Sequence, residues 1–221
     1  MSESVRVQQP AISKELLLLS LIFILELLAL PAQFYLLLRT GEFTFVHAVV
    51  RFFSFFTVLT NSIVAVTCIV LLFGKKSKVY DFFRQGSTLT AVTVYILIVG
   101  VVYNIILRPL QHLDGLHRIT TEIFHTVVPL LFLLYWIMFV KQENLGWKLI
   151  PAWLIYPLIY VVYTLLHGWY TGFYPYPFID INKLGFDQAM LNGLFVLLSI
   201  IVLSFVLITA KRMMKRELNP N

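Results

Sequence analysis

Charge is scarce in this chain: only 13% of its 221 residues are Asp, Glu, Lys or Arg, against roughly 25% in an ordinary soluble domain. A single cysteine, Cys68, excludes an intrachain disulfide and any cysteine-built metal cluster. It lies in an apolar run, which points to packing. No HExxH, no GxSxG, no phosphate-cradling glycine loop and no dinucleotide fingerprint occurs. Internal repeats and low-complexity tracts are missing too. These gaps remove zinc proteases, serine hydrolases of the nucleophile-elbow type and nucleotide-dependent enzymes from consideration.

What remains is apolar. Hydrophobic residues make up 59% of the chain, and its mean hydropathy is +0.85. A helix needs about 20 apolar residues to cross a bilayer. Six such stretches fall at about 12–38, 48–73, 88–107, 119–140, 148–167 and 188–210, which predicts an all-α bundle forming one integral membrane domain over 1–221. The first stretch is too long for the apolar region of a signal peptide and lacks a small-x-small cleavage site, so it reads as a retained span.

The net charge of +6 follows topology rather than nucleic acid, because the basic residues lie between the spans. One set of loops holds Arg6, Lys14, Lys75, Lys76, Lys78, Arg84, Lys141, Lys148, Lys211, Arg212, Lys215 and Arg216. The other holds Arg39, Arg51, Arg108, Arg118 and Lys183. This asymmetry predicts both termini on the cytoplasmic side. The last outer loop, about 168–187, is rich in aromatics and proline, Gly168-Trp169-Tyr170 through Tyr174-Pro175-Tyr176-Pro177-Phe178. It reads either as an interfacial anchor, the commoner role of such belts, or as a lid.

Polar residues inside spans are costly and mark function by default. Here they gather in the outer halves: Arg51, Ser54, Thr57 and Asn61 in span two, Tyr103, Asn104 and Arg108 in span three, and Glu122 and His125 in span four. Tyr156, Tyr160, Tyr163 and His167 follow in span five, and Asn192 opens span six. Thr57 and Asn61 share a helix face, as do Asn104 and Arg108. The span-five stripe runs i, i+4, i+7, i+11 along one side. Such stripes turn inward, because lipid offers no partners. They predict an outward-facing polar cavity. Each element also has a plainer reading: back-bonding for Ser54 and Thr57, interhelical bonding for the asparagines, packing for the tyrosines, and an Arg108–Glu122 pair. Glu26 stands alone in span one, with Arg51 or His125 as conceivable partners.

His112, His117, Glu122 and His125 fall within fourteen residues, but their spacing matches no standard metal site, and no metal or cofactor is expected. A hydroxyl and an imidazole at compatible depth are present instead. Thr57 lies about nine residues into span two, roughly 14 Å, and His125 about six into span four, roughly 9 Å. A threonine hydroxyl needs a neighbouring base to attack. His125 fits that role, with Glu122, Asn61 or Asn104 to orient it or to steady an oxyanion.

Three segments resemble a known family. Phe55-Phe56-Thr57-Val58-Leu59-Thr60-Asn61 resembles the F-T-x-x-[S/T]-N segment of the prokaryotic six-transmembrane "Pr-six-Pr" proteins. His125-Thr126-Val127-Val128-Pro129 looks like their H-x-x-x-P span, and Tyr156-Pro157-Leu158 through Pro177-Phe178 is similar to their fifth span and outer loop. That family resembles, more distantly, the androgen-induced and androgen-dependent membrane hydrolases, which cleave fatty acid esters of hydroxy fatty acids with a threonine and a histidine. Their histidine precedes a proline by five positions, whereas His125 precedes Pro129 by four. The resemblance implies Thr57 as nucleophile, His125 as base, a lipid-like ester as substrate and a bacterial plasma membrane as location. Asn61, Asn104, Arg108 and Glu122 are then expected in support, and Tyr156, Tyr160, Tyr163, His167 and Asn192 along the substrate path. The alternative is a lipid- or small-molecule-binding protein, or a small transporter, without chemistry. Membrane lipids are the expected partners on either reading.

Overall fold

The computed structural model describes residues 13–74, 77–141 and 145–218, with side chains through 214. Arg6, Lys75 and Lys76, and the side chains of Lys215 and Arg216, which enter the charge asymmetry above, lie outside this description. The described residues contain helices and connecting turns but no strand. In order they form α1 (Lys14–Arg39), α2 (Phe45–Phe53), α3 (Phe56–Phe73), α4 (Lys78–Arg84) and α5 (Gly86–Val102). There follow α6 (Gly115–Glu122), α7 (Val128–Phe139), α8 (Ile150–Trp153), α9 (Ile155–Thr171), α10 (Ile181–Leu184) and α11 (Phe186–Leu218). Counting continuous helical stretches, six are long and apolar enough to cross a membrane: Lys14–Arg39, Phe56–Phe73, Gly86–Leu110, Gly115–Phe139, Trp147–Thr171 and Phe186–Met214. This is the architecture of a multi-pass membrane protein.

The core forms where α1, α3, α5 and α7 meet, around the fully buried Trp136, Phe132, Ile96, Ile22 and Val64. Cys68 is buried there, as its apolar setting predicts. One end of the bundle gathers both described chain ends. Glu15, in the first turn of α1, pairs with Arg84 at 2.6 Å and accepts from the Tyr135 hydroxyl. Lys211, late in α11, donates to the carbonyls of Trp136 and Ile137 at the end of α7. Trp136 O also accepts from Val140 N–H, Ile137 O is among the carbonyls that a helix end leaves free, and a cation suits that end of the dipole. Glu26 is fully buried, and neither oxygen has a hydrogen-bond partner among the described residues, so neither Arg51 nor His125 reaches it.

Three local departures shape the other end of the bundle, called the site end below. The single span expected over 48–73 is two helices. Ser54 caps α2, Phe55 is extended (φ −86°, ψ 127°), and α3 starts afresh at Phe56. A broken helix inside a membrane bundle survives only where the freed backbone groups find partners. Here the span-five tyrosines supply them: Tyr160 donates to the Ser54 carbonyl at 2.9 Å, and the Tyr163 hydroxyl lies 2.9 Å from Ser54 Oγ. The stretches after α5 and α6 are also irregular. Tyr103–Leu107 and Ile123–Val127 each form one turn of π-helix. Such wide turns recur at functional sites.

Candidate active site

The break at Phe55 places Thr57 at the second residue of α3, not nine residues inside a continuous span. His125 sits within the π-turn at Ile123–Val127. Their side chains meet: Thr57 Oγ1 lies 3.4 Å from His125 Nε2. His125 Nδ1 lies 2.8 Å from the Thr121 carbonyl oxygen. A carbonyl can only accept, so Nδ1 carries the proton and Nε2 turns a lone pair toward Thr57. The Tyr103 ring stacks on the imidazole at 4.0 Å and holds its plane.

Helix packing brings these groups together at a close approach of α5. A Cβ on Gly100 would stand 3.0 Å from the His125 carbonyl oxygen and 3.3 Å from Pro129 Cβ. Asn104 spans the same contact, donating through Nδ2 to Gly100 O at 2.8 Å and to His125 O at 3.0 Å. Its Oδ1 accepts from Arg108 Nε, and Arg108 pairs with Glu122 at 2.7 Å, while Thr126 donates to Glu122. Asn104, Arg108 and Glu122 thus pin the two π-turns to each other. Glu122 does not orient the imidazole, as its spacing had suggested; the Thr121 carbonyl does. Asn61 donates to the Thr57 carbonyl at 2.8 Å, four residues back along its own helix. Both N–H groups of the Asn104 amide are therefore committed to backbone carbonyls, whereas Asn61 has used one of its two.

The residue that sequence reasoning missed is Tyr176. Its hydroxyl lies 3.0 Å from Thr57 N and 3.1 Å from Thr57 Oγ1. Burial raises the phenol above its ordinary range, so it keeps its proton. The amide can only donate, so the phenol oxygen accepts from Thr57 N–H; and since Thr57 gives its one hydroxyl proton to His125 Nε2, the phenol donates to Thr57 Oγ1. The hydrogen bonds then run in one direction, from Tyr176 to Thr57 to His125 to the Thr121 carbonyl.

Tyr176 belongs to the 168–187 loop, which divides into two parts. Trp169 and Tyr170 are 82% and 88% exposed, as an anchor requires. The stretch that follows folds inward as a lid. Tyr174 is buried against Gly168, Phe173 covers the Arg51 guanidinium at 3.7 Å, and Tyr176 stacks on Phe178 and meets the edge of Phe55. Asn192 Nδ2 donates to the Phe178 carbonyl at 2.8 Å and ties the lid to α11. A Cβ at position 168 would stand 2.1 Å from Tyr174 Cε1, far inside contact. Gly168→Ala is therefore expected to unseat Tyr174 and loosen the lid. Limited chymotrypsin digestion should cut the 172–185 segment faster in that variant than in wild type, while the rest of the bundle stays protected.

Two chambers meet at this constellation. One, of about 680 Å³ and almost wholly apolar, lies among α5, α9, α11 and the lid. The other, of about 1210 Å³, is lined partly by Gln33, Glu42, Arg51, Gln111 and His117. Thr57, Tyr103, Leu107, His125 and Tyr176 border both. Of the residues expected to line a substrate path, Tyr160 alone does so. Tyr156 bonds Thr60 at 3.0 Å, Tyr163 bonds Ser54, His167 stacks on Tyr163, and Asn192 holds the lid; none of these four lines either chamber. Of the stripe, Tyr160 is buried, Tyr156 and His167 are half-buried and Tyr163 is exposed; Tyr160 and Tyr163 brace the helix break. No group of His, Cys, Asp and Glu that could hold a metal ion occurs among the described residues. Compared with known proteins, the chain matches no family model, and neither a curated protein nor a solved structure is found to be similar to it.

Proposed function

We propose that the chain is an intramembrane hydrolase of lipid-like esters, with Thr57 as nucleophile and His125 as general base. The observation that carries this reading is the one-way hydrogen-bond chain through Thr57, placed where an almost wholly apolar chamber meets one with several polar side chains in its wall. An ester with one apolar arm would lay its carbonyl at that junction. Thr57 Oγ1 attacks the carbonyl carbon and its proton passes to His125 Nε2. Collapse of the tetrahedral intermediate breaks the ester C–O bond, and the departing alcohol takes the proton back from Nε2. A water molecule, activated by the same imidazole, then frees the acyl group from Thr57.

The oxyanion needs fixed donors. The first bond within α3 is from Leu59 N–H to the Phe55 carbonyl. The amides of Phe56, Thr57 and Val58 precede it, and such amides at a helix start have no partner within the helix. Tyr176 takes that of Thr57. We assign the oxyanion to the Val58 amide, on the residue after the nucleophile, where the positive end of the α3 dipole adds to the effect.

The resemblance to the Pr-six-Pr proteins, and through them to the threonine membrane hydrolases, supports the roles of Thr57 and His125 and a bacterial plasma membrane. The Lys and Arg distribution supports an orientation with both termini inside and the site end outside. Fluorophosphonate labelling of the reconstituted protein tests the assignment. Wild type is expected to be labelled and Thr57→Ala to fall to background; equal labelling of both removes Thr57 as nucleophile.

One observation favours a binding protein instead. Tyr176 covers both the amide and the hydroxyl of Thr57, which shields the hydroxyl from a ligand in the apolar chamber. On that reading a bound lipid is recovered unchanged after prolonged incubation with the protein.

A further inference from the structure

The apolar chamber has a continuation that the chemistry above does not use. α11 packs closely on α5, while residues of α9 and α11 line opposite sides of a space between those two helices. The gap between them is a second apolar space of about 560 Å³, lined by Leu158, Val161, Ala189, Gly193, Leu194 and Leu197 among others. It shares Tyr160, Val161, Ile179, Gly193 and Leu197 with the chamber that holds Thr57 and His125. The two spaces therefore adjoin along this shared wall, one on the side of the reacting hydroxyl and the other toward the side of the bundle. Leu158 on α9 and Leu194 on α11 are half exposed there, on the face that six spanning helices turn to hydrocarbon.

Spacing explains why the gap stays open. On α11 the residues facing the chamber are Gly193, Val196, Leu197 and Ile200, at i, i+3, i+4 and i+7, one helix face. Gly193 stands in the stretch shared by both spaces. A Cβ built on it meets no heavy atom within 4 Å. The absent side chain leaves passage rather than allowing another helix to approach, unlike Gly100 and Gly168, where neighbours crowd the missing Cβ.

We infer that the α9–α11 gap is a lateral portal through which the alkyl arm of a bilayer ester enters from the hydrocarbon and lies along α11 to Thr57, with Gly193 setting its bore. The occupant is a linear alkyl chain. The walls carry few polar groups, and the gap borders the half-exposed Leu158 and Leu194 on one side and shares a wall with the chamber of Thr57 on the other. A linear chain is also the one apolar shape that follows a groove along a helix without side branches to accommodate. This inference rests on the hydrolase reading for its substrate, and its route can be tested apart from it.

The test uses the full chain in phospholipid nanodiscs. Wild type, Gly193→Ala, Gly193→Leu and Val161→Trp, which narrows the same passage from α9, are compared on p-nitrophenyl butyrate and p-nitrophenyl palmitate. In parallel, methyl palmitate carrying a terminal diazirine is photolysed in the same discs and the cross-linked peptides are mapped. The portal predicts that Gly193→Ala, whose methyl meets no neighbour, changes the ratio of palmitate to butyrate turnover little. It predicts that Gly193→Leu and Val161→Trp lower that ratio by roughly tenfold or more, while cooperative thermal melts report that all four proteins fold. Cross-links fall on α9 and α11 in wild type and disappear in both narrowed variants. Palmitate turnover equal to wild type in both narrowed variants overturns the portal and leaves the hydrolase standing. Cross-links on α9 and α11 that vanish in the narrowed variants, with no ester cleaved by any protein, uphold the portal and sink the hydrolase. Wild-type cross-links confined to other helices overturn the portal whatever the turnover.

Discussion

Gln in place of His125 lowers ester turnover by about a hundred- to ten-thousandfold, the range that a positioned general base contributes, with little change in substrate affinity. Gln can still donate toward the Thr121 carbonyl and fill part of the space against Tyr103, but it presents no basic lone pair to Thr57. Affinity is set elsewhere, by the apolar chamber and by the residues of the polar one. The loss should therefore appear in kcat, and steady-state kinetics of wild type and His125→Gln on one ester separates the two parameters. A variant that raises KM alone would return His125 to a binding role. Labelling by fluorophosphonate gives a second readout, since it requires the same proton transfer from Thr57. It should slow in parallel with turnover.

Tyr176→Phe is the sharper of the two large effects, because it removes one oxygen and leaves the lid in place. The ring still stacks on Phe178 and meets Phe55, so the loop keeps its seat. What goes is the proton aimed at Thr57 Oγ1 and the acceptor for Thr57 N–H. If the phenol stabilises negative charge as it develops on the nucleophile, turnover falls by up to roughly a hundredfold, the scale of a single lost donor at a reacting oxygen. If Tyr176 merely shields Thr57, as a binding protein requires, Phe leaves fluorophosphonate labelling unchanged or speeds it. The direction of the change, measured as the rate of labelling, distinguishes the two.

The architecture was legible because a lipid environment demands long apolar helices, and nothing else in the chain competes with that signal. The six stretches match the spanning helices to within a few residues at most ends. The break in span two was not legible. Ser54-Phe55 contains neither proline nor glycine, and what stabilises the interruption comes from Tyr160 and Tyr163, over a hundred residues away. Thr57 and His125 were found as a pair because their residue types stand out in apolar surroundings. Their partners were harder to find. A backbone carbonyl, Thr121 O, orients the histidine, and no side-chain pattern announces one. Tyr176 lay in a segment whose aromatics read equally well as an interfacial belt. Asn104 was over-read, since an amide that satisfies nearby carbonyls has the same letter in the sequence as one that awaits a ligand. One available signal went unused: Gly168 lies six residues before Tyr174, and that ring packs flat on the bare glycine.

The interruption at Phe55 also sets a length. α3, with 18 residues, is the shortest of the six candidate spans, about 27 Å at the usual helical rise, against about 30 Å for a typical hydrocarbon core. The helices around it run from 25 to 29 residues and can meet the same membrane by tilting. Hydrophobic mismatch is therefore concentrated on the helix whose second residue is Thr57. A thicker bilayer draws Thr57 below the hydrocarbon boundary, and a thinner one lifts it toward the headgroups. The position of the hydroxyl relative to that boundary is thus a property shared between the protein and the lipid that surrounds it.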